Sequence, residues 1–249
     1  MFIISVFTMH AAIFFLVFGI VQSFRHRDVL DLYRYKYQGN GMFFGASYGG
    51  TCSYDPPSMP VAARYIDRTI AINARQFYRG FACGVCFRVT ESGKGNGGAP
   101  VDRTFTVLVK DFCPNCMPGV PAIKDDVDGR LGMEMQAIQC PVGNSSLEYK
   151  FQGSSPYYIK LQVRNARIPA TRVDLYQPKW RQWTPLAHTS DGFWTFGTDP
   201  VERPVVAPFR IRLTAANGQR IVDTVPELVN GVVLQGNGKQ FEFDPNLPR

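Results

Sequence analysis

The chain has 249 residues, 45% of them hydrophobic and 19% charged, with 23 glycines and 18 prolines. That is ample for a real core and more natural as two modules than one, built from short strands and turns rather than long helices. The formal charge of +7 is spread evenly, 15 basic against 12 acidic residues up to Pro156 and 12 against 8 beyond it. With no run of Lys or Arg, this excludes a nucleic-acid patch and leaves a mild positive field suited to acidic polymers or surfaces.

Residues 1–21 contain no Asp, Glu, Lys or Arg, and Ala11 to Val21 is apolar throughout apart from Gly19. Val21-Gln22-Ser23 offers the small residues a signal peptidase reads, so residues 1–23 are expected to be a signal peptide and the protein to be secreted. The competing reading is an N-terminal anchor, because no basic residue precedes the apolar run and Arg25, His26 and Arg27 follow it. Six cysteines, all beyond residue 51, favour the oxidising side.

Residues 24–40 are polar and tyrosine-rich without a period, and are read as a linker. From Gly41 to Cys52 a glycine-punctuated aromatic stretch opens the first module, expected to span residues 41–145. Strand candidates follow at Arg64–Asn73, Phe87–Val89 and Phe105–Val109. The last two flank the Gly-rich loop Ser92–Pro100, which marks a hairpin. The second module is expected over residues 153–245. Ile159, Leu161 and Val163 alternate there with Lys160, Gln162 and Arg164, and Asn217-Gly218 between two strand candidates is a strong hairpin signal. Short strands at this spacing predict an all-β fold ending in a β-sandwich.

Two Cys-x-x-Cys pairs, Cys83/Cys86 and Cys113/Cys116, suggest a zinc site. The gap between them is wider than a zinc ribbon uses, and Cys52 and Cys140 bracket the same region, so a disulfide framework is the better reading. Neither pair opens a helix that would lower a thiol pKa, which argues against a thioredoxin-like role. No metal and no cofactor is expected.

Gly49-Gly50-Thr51-Cys52, Cys83-Gly84-Val85-Cys86 and Thr106-Val107-Leu108-Val109-Lys110-Asp111-Phe112-Cys113-Pro114-Asn115-Cys116 resemble the first domain of expansins, as does Asp128 through Pro141. Gly153 through Asn165, with Pro169, Trp180 and Asp223-Thr224-Val225-Pro226, resembles the expansin carbohydrate-binding domain. The resemblance spans roughly residues 41–245. It implies a six-stranded double-psi β-barrel, related to family-45 glycoside hydrolases and barwin, followed by an immunoglobulin-like β-sandwich. It also implies the pairs Cys52–Cys83 and Cys86–Cys140, which leaves Cys113 with Cys116.

Glycoside hydrolysis needs two carboxyl groups flanking the scissile bond. Asp111 matches the family's first groove aspartate, although a carboxylate at a strand end equally often binds backbone amides of the next turn. The family's second aspartate is replaced by Ala122 and its first-strand threonine by Met42. Asp125, Asp126 and Asp128 read as a solvated loop. No catalytic residue is therefore assigned, and the barrel is expected to be non-hydrolytic. On the second domain the family presents a row of surface aromatics. Tyr157 and Tyr158 match its adjacent pair, and the third falls near His188. Alternation puts Trp180 and Trp183 on opposite faces, and the resemblance gives Trp180 the family's core position, which leaves Trp183 as the outward candidate, while Phe193 and Trp194 read as core. The expected ligand set is thus Asp111, Tyr157, Tyr158 and Trp183, binding cellulose or a related glucan, with Lys160, Lys179 and Arg181 drawing acidic wall polymers. The protein is expected to be a monomer that binds no nucleic acid and, once its signal is cleaved, no membrane. The alternatives are a divergent polysaccharide hydrolase, or a wall-binding protein whose barrel is inert.

Overall fold

Runs of β-branched and aromatic residues, broken by glycine turns, set the first unit. The computed structural model describes residues 27–43, 50–54, 59–66, 68–92, 103–116, 122–123, 130–197 and 204–249. Strands β1 (Tyr37–Phe43), β2 (Arg68–Ile72), β3 (Cys86–Ser92), β4 (Arg103–Phe112), β5 (Ala122–Ile123) and β6 (Arg130–Ile138) form a closed barrel in the order β1-β5-β2-β4-β3-β6. Pairing is parallel between β1 and β5 and between β2 and β4, and antiparallel elsewhere. A closed barrel has no exposed edge to template aggregation. Ile70, Phe87, Val89, Val107 and Val109 fill its centre and are fully buried.

The second unit consists of two sheets around one core. One sheet runs β10 (Gln182–Pro185), β9 (Ala170–Gln177), β13 (Phe209–Ala215), β14 (Arg220–Val225). The other runs β11 (Ala187–His188), β12 (Trp194–Phe196), β8 (Ile159–Arg164), β7 (Glu148–Phe151), β15 (Val233–Gln235). Strand β13 shows why they pack: Phe209, Ile211 and Leu213 are buried and alternate with Arg210 and Arg212. Burying each such side chain is worth about 1.5–3 kcal/mol. Asn217-Gly218 lies in the turn between β13 and β14, with Gly218 at φ 88.

Two boundaries differ from the sequence reading. Residues 24–40 are not a linker throughout: residues 27–34 form a helix, α1, and β1 starts at Tyr37. The reason is an apolar stripe at Val29, Leu32 and Tyr33, spaced i, i+3, i+4, all at most 1% exposed. Leu32 and Tyr33 enter the barrel core, while Val29 enters the core of the second unit. Strand β7 lies ahead of residue 153, because Tyr149 and Phe151 are needed in the second core.

A short helix, α2 (Ala74–Phe77), is capped by Asn73, whose side-chain oxygen accepts a hydrogen bond from the Gln76 amide at 3.2 Å. It ends in two consecutive left-handed residues, Tyr78 at φ 46 and Arg79 at φ 54. For non-glycine residues each costs on the order of 1–2 kcal/mol.

Candidate functional site: a single-carboxylate strand row at the seam between the units

Asp111 sits where β4 leaves the barrel wall. Opposite β2, Val109 pairs with Ile70 and Asp111 with Ala71, so Lys110 is an extra residue, a bulge that turns the strand end. Gly50 approaches closely on that side. A Cβ there would lie 2.5 Å from the Lys110 carbonyl oxygen and 2.9 Å from Asp111 Cβ, and the residue has φ +58, so only glycine fits. Thr51 then reaches the acid twice, its amide donating to Asp111 Oδ1 at 2.7 Å and its hydroxyl at 2.8 Å. The Phe112 amide donates to the same oxygen at 2.8 Å. Three donors on one oxygen hold the carboxylate in a fixed orientation.

The register extends the row. Met42 pairs with Ala122, Ala122 with Ala71, and Ala71 with Asp111 across β1, β5, β2 and β4. Asp111 is therefore the one acid in a four-strand line whose other members are Met and Ala. Paired-carboxylate chemistry needs a second acid near the scissile bond, and this line does not supply it. Asp125, Asp126 and Asp128 lie outside the described residues.

From Thr51 the chain runs directly into the second unit. The Cys52 carbonyl accepts a hydrogen bond from Gln162 Nε2 at 2.7 Å, and the Ser53 carbonyl one from Lys150 Nζ at 3.5 Å. Beside them Arg164, 1% exposed, lays its guanidinium 4.5 Å from the centre of the Tyr54 ring and donates to Gln162 Oε1 at 2.8 Å. Burial pushes the Tyr54 hydroxyl up to about 12, with the Arg164 charge pulling the other way. Glu148, paired with Arg164 in register, accepts from the Val61 amide at 3.2 Å. Burial raises its pKa above the ordinary glutamate value. The Ala62 amide donates to Asn165 Oδ1 at 2.8 Å, adding one more bond across the seam. Gly192 completes it: at φ +80, a Cβ would lie 2.7 Å from Cys83 Cβ.

The same face of the five-stranded sheet carries Lys160, whose ammonium donates to Asp191 Oδ2 at 2.6 Å and lies 4.6 Å from the centre of the Phe193 ring. Burial opposes the charge on Asp191, but bonds from Lys160 and Thr189 outweigh it and hold the acid below its ordinary value. Tyr157 and Tyr158 lie in the turn joining β7 to β8, the first 56% exposed and the second half-buried. Asp111 and the tyrosine pair are thus linked through Thr51, Cys52 and strand β8.

Trp183 is elsewhere. It pairs with Tyr176 on the outer face of the four-stranded sheet, its ring 5.2 Å from Tyr176 and 4.7 Å from the Arg212 guanidinium. Strand parity does turn it outward, but on the other sheet from Tyr157 and Tyr158. Trp180 packs on Phe196 at the core edge, and Phe193 and Trp194 are buried. His188 stacks on Phe81 at 3.7 Å. The cysteines pair as Cys52–Cys83, Cys86–Cys140 and Cys113–Cys116, leaving none free for zinc. Sequence reasoning missed Thr51, Gln162 and Arg164. The first had a signal, its place in the Gly-Gly-Thr-Cys turn; the other two were read only as the polar face of β8.

No protein-family model matches the chain. Expansin-B6 of Arabidopsis thaliana is 23% identical over 203 residues, covering 72% of this chain and 86% of that protein. Expansin-YoaJ of Bacillus subtilis is 24% identical over 120 residues, 47% of each. Among solved structures, the apo Clavibacter michiganensis expansin superposes with a TM-score of 0.66 at 22% identity, over 84% of this chain and all of that one. A mutant form of it in complex with cellohexaose gives 0.65. At such identity the structural likeness is one of fold. Taken with the sequence relatives, it makes the chain an expansin-like protein.

Proposed function

We propose that this is a secreted protein, residues 1–23 being its signal peptide, that binds cell-wall cellulose or a related glucan and loosens it without hydrolysis. In this reading the barrel is a double-psi barrel and the second unit an immunoglobulin-like sandwich. Asp111 and the Tyr157–Tyr158 pair touch one polymer chain. The observation that carries it is the run from the single-carboxylate row through Cys52 and Gln162 to the sheet bearing the two tyrosines. Tyrosine rings suit the apolar C–H faces of pyranoses, and a strand row carrying a single carboxylate suits contact rather than bond cleavage. The cellohexaose complex of the Clavibacter protein supports the ligand class. Lys160, Lys179 and Arg181 add attraction for acidic wall polymers. Trp183, lying on the other sheet, is left out of the glucan surface.

The test is a cellulose pull-down with Tyr157→Ala/Tyr158→Ala and Trp183→Ala, beside a reducing-sugar assay. The tyrosine variant loses binding, the tryptophan variant keeps it, and no sugar is released. Unchanged binding of the tyrosine variant removes the platform, and soluble sugar removes the non-hydrolytic reading. The Met42–Ala122–Ala71 line favours a second reading, a wall-binding protein with an inert barrel. Wall-creep measurements separate the two: extension supports loosening, and binding without extension supports the inert barrel.

A further inference from the structure

On another part of the seam, α1 forms one wall of two clefts that meet at Tyr78. One, about 440 Å³, is lined by Asp28, Tyr78, Arg79, Phe81, His188 and Ser190. The other, about 340 Å³, is lined by Asp31, Tyr35, Tyr37, Gln38, Arg75 and Tyr78, with Lys36 at its edge. Both volumes fall in the range of about 300–1,000 Å³ used by small-ligand sites.

Three features give the clefts chemistry. Tyr35 is 59% exposed and Tyr37 and Tyr78 are half-buried, and all three line the clefts, with the Tyr37 hydroxyl donating to the Asp31 carbonyl at 3.1 Å. Arg75 and Arg79 make no ion pair among the described residues, and each lines a cleft, Arg75 from α2 and Arg79 from the left-handed backbone that follows it. The charges nearly cancel: Asp31 is paired with Arg34 at 3.7 Å and Lys36 with Glu134 at 2.7 Å, which leaves Arg75 and Arg79 against Asp28. A polyanion needs net positive charge, whereas rings bordered by balanced donors and acceptors suit hydroxyl-rich, uncharged rings.

We propose that these clefts are a second saccharide site, taking a short neutral oligosaccharide across the Tyr78 ridge, independent of the glucan surface at Asp111. The tyrosines stack on pyranose faces, and Arg75, Arg79 and Asp28 bind hydroxyls.

The test uses the full chain carrying Tyr157→Ala/Tyr158→Ala, so that binding at the other surface is removed. Cellohexaose, xylohexaose, mannohexaose and hexagalacturonate are titrated calorimetrically. At least one neutral hexasaccharide is expected to bind saturably and to weaken about ten-fold when Tyr35→Ala and Arg79→Gly are added. Arg79→Gly removes the side chain while relaxing the left-handed backbone, so the fold is kept, which thermal unfolding verifies. Absence of neutral-sugar binding, binding of hexagalacturonate alone, or affinity unmoved by the added substitutions overturns the site. None of these outcomes bears on cellulose binding by the parent chain, so the two proposals fail separately.

Discussion

The buried polar seam makes a strong prediction through Arg164. Arg164→Met keeps most of the packing volume but removes the charge 4.5 Å from the Tyr54 ring centre and the bond to Gln162 at 2.8 Å. A desolvated cation–π contact is worth about 2 kcal/mol, and a charged hydrogen bond about 1.5–3 kcal/mol. The seam also keeps Glu148, 1% exposed, without the nearby positive charge. Loss of one member of such a set costs roughly 3–5 kcal/mol. For a chain of this size that lowers Tm by roughly 6–20 °C. Because Arg164 touches the first unit from the second, calorimetry should also resolve the single transition into two as the units uncouple. Adding Glu148→Gln should recover part of the loss, since the stranded acid is then neutral. A single transition within about 1 kcal/mol of the parent, with no effect of the second substitution, would refute the account.

Further outcomes follow from the same geometry. Burial raises the Glu148 pKa in the folded chain, so the folded state binds its proton more tightly than the unfolded state. Its stabilising effect is greatest in acid and is lost as pH rises through the raised value. In denaturant titrations at several pH values, Glu148→Gln should flatten that decline; an unchanged slope contradicts it. Leu32→Ala, emptying a fully buried site in the barrel core, should cost about 2–5 kcal/mol in urea unfolding. If α1 were a loosely attached linker, the cost would be near zero. Thr51→Val removes one donor to Asp111 and should cost about 1–3 kcal/mol. Asp111→Asn keeps the acceptor oxygen and should leave the melting curve close to the parent while reducing wall creep, and a full loss of folding would assign Asp111 to structure alone.

Strands and disulfide partners were the legible part of this chain. In β8, alternation marked Ile159 and Leu161 as buried, but Gln162 and Arg164 on the opposite face are buried as well, because that face meets the first unit. Trp183 shares the outer face of its sheet with Tyr176, but Trp180 lies in the turn before β10, outside the alternation, and a strand's parity fixes a face relative to its own sheet and not which sheet faces the ligand. Helix α1 escaped because eight residues give barely two turns of pattern, and its stripe serves two cores at once. The Lys110 bulge and the Thr51 contacts depend on the approach of a segment 60 residues away, which no local pattern encodes.

The packing of α1 has a counterpart at the other end of the chain. Val29 belongs to the second core although it precedes the first strand, and Leu247, two residues from the end, packs against both cores. Gln139, just past β6, donates its amide to the Pro248 carbonyl at 2.9 Å and accepts from the Asp244 amide at the same distance. Each unit thus lends a segment to the other, and a cut between β6 and β7 divides the sequence but not the structure. Cut there, each half loses contacts: a barrel ending at Cys140 lacks the tail that covers Gln139, and a second unit starting at Leu147 lacks the plug at Val29. Exchange of one unit for a relative's would have to carry these lent segments along with it.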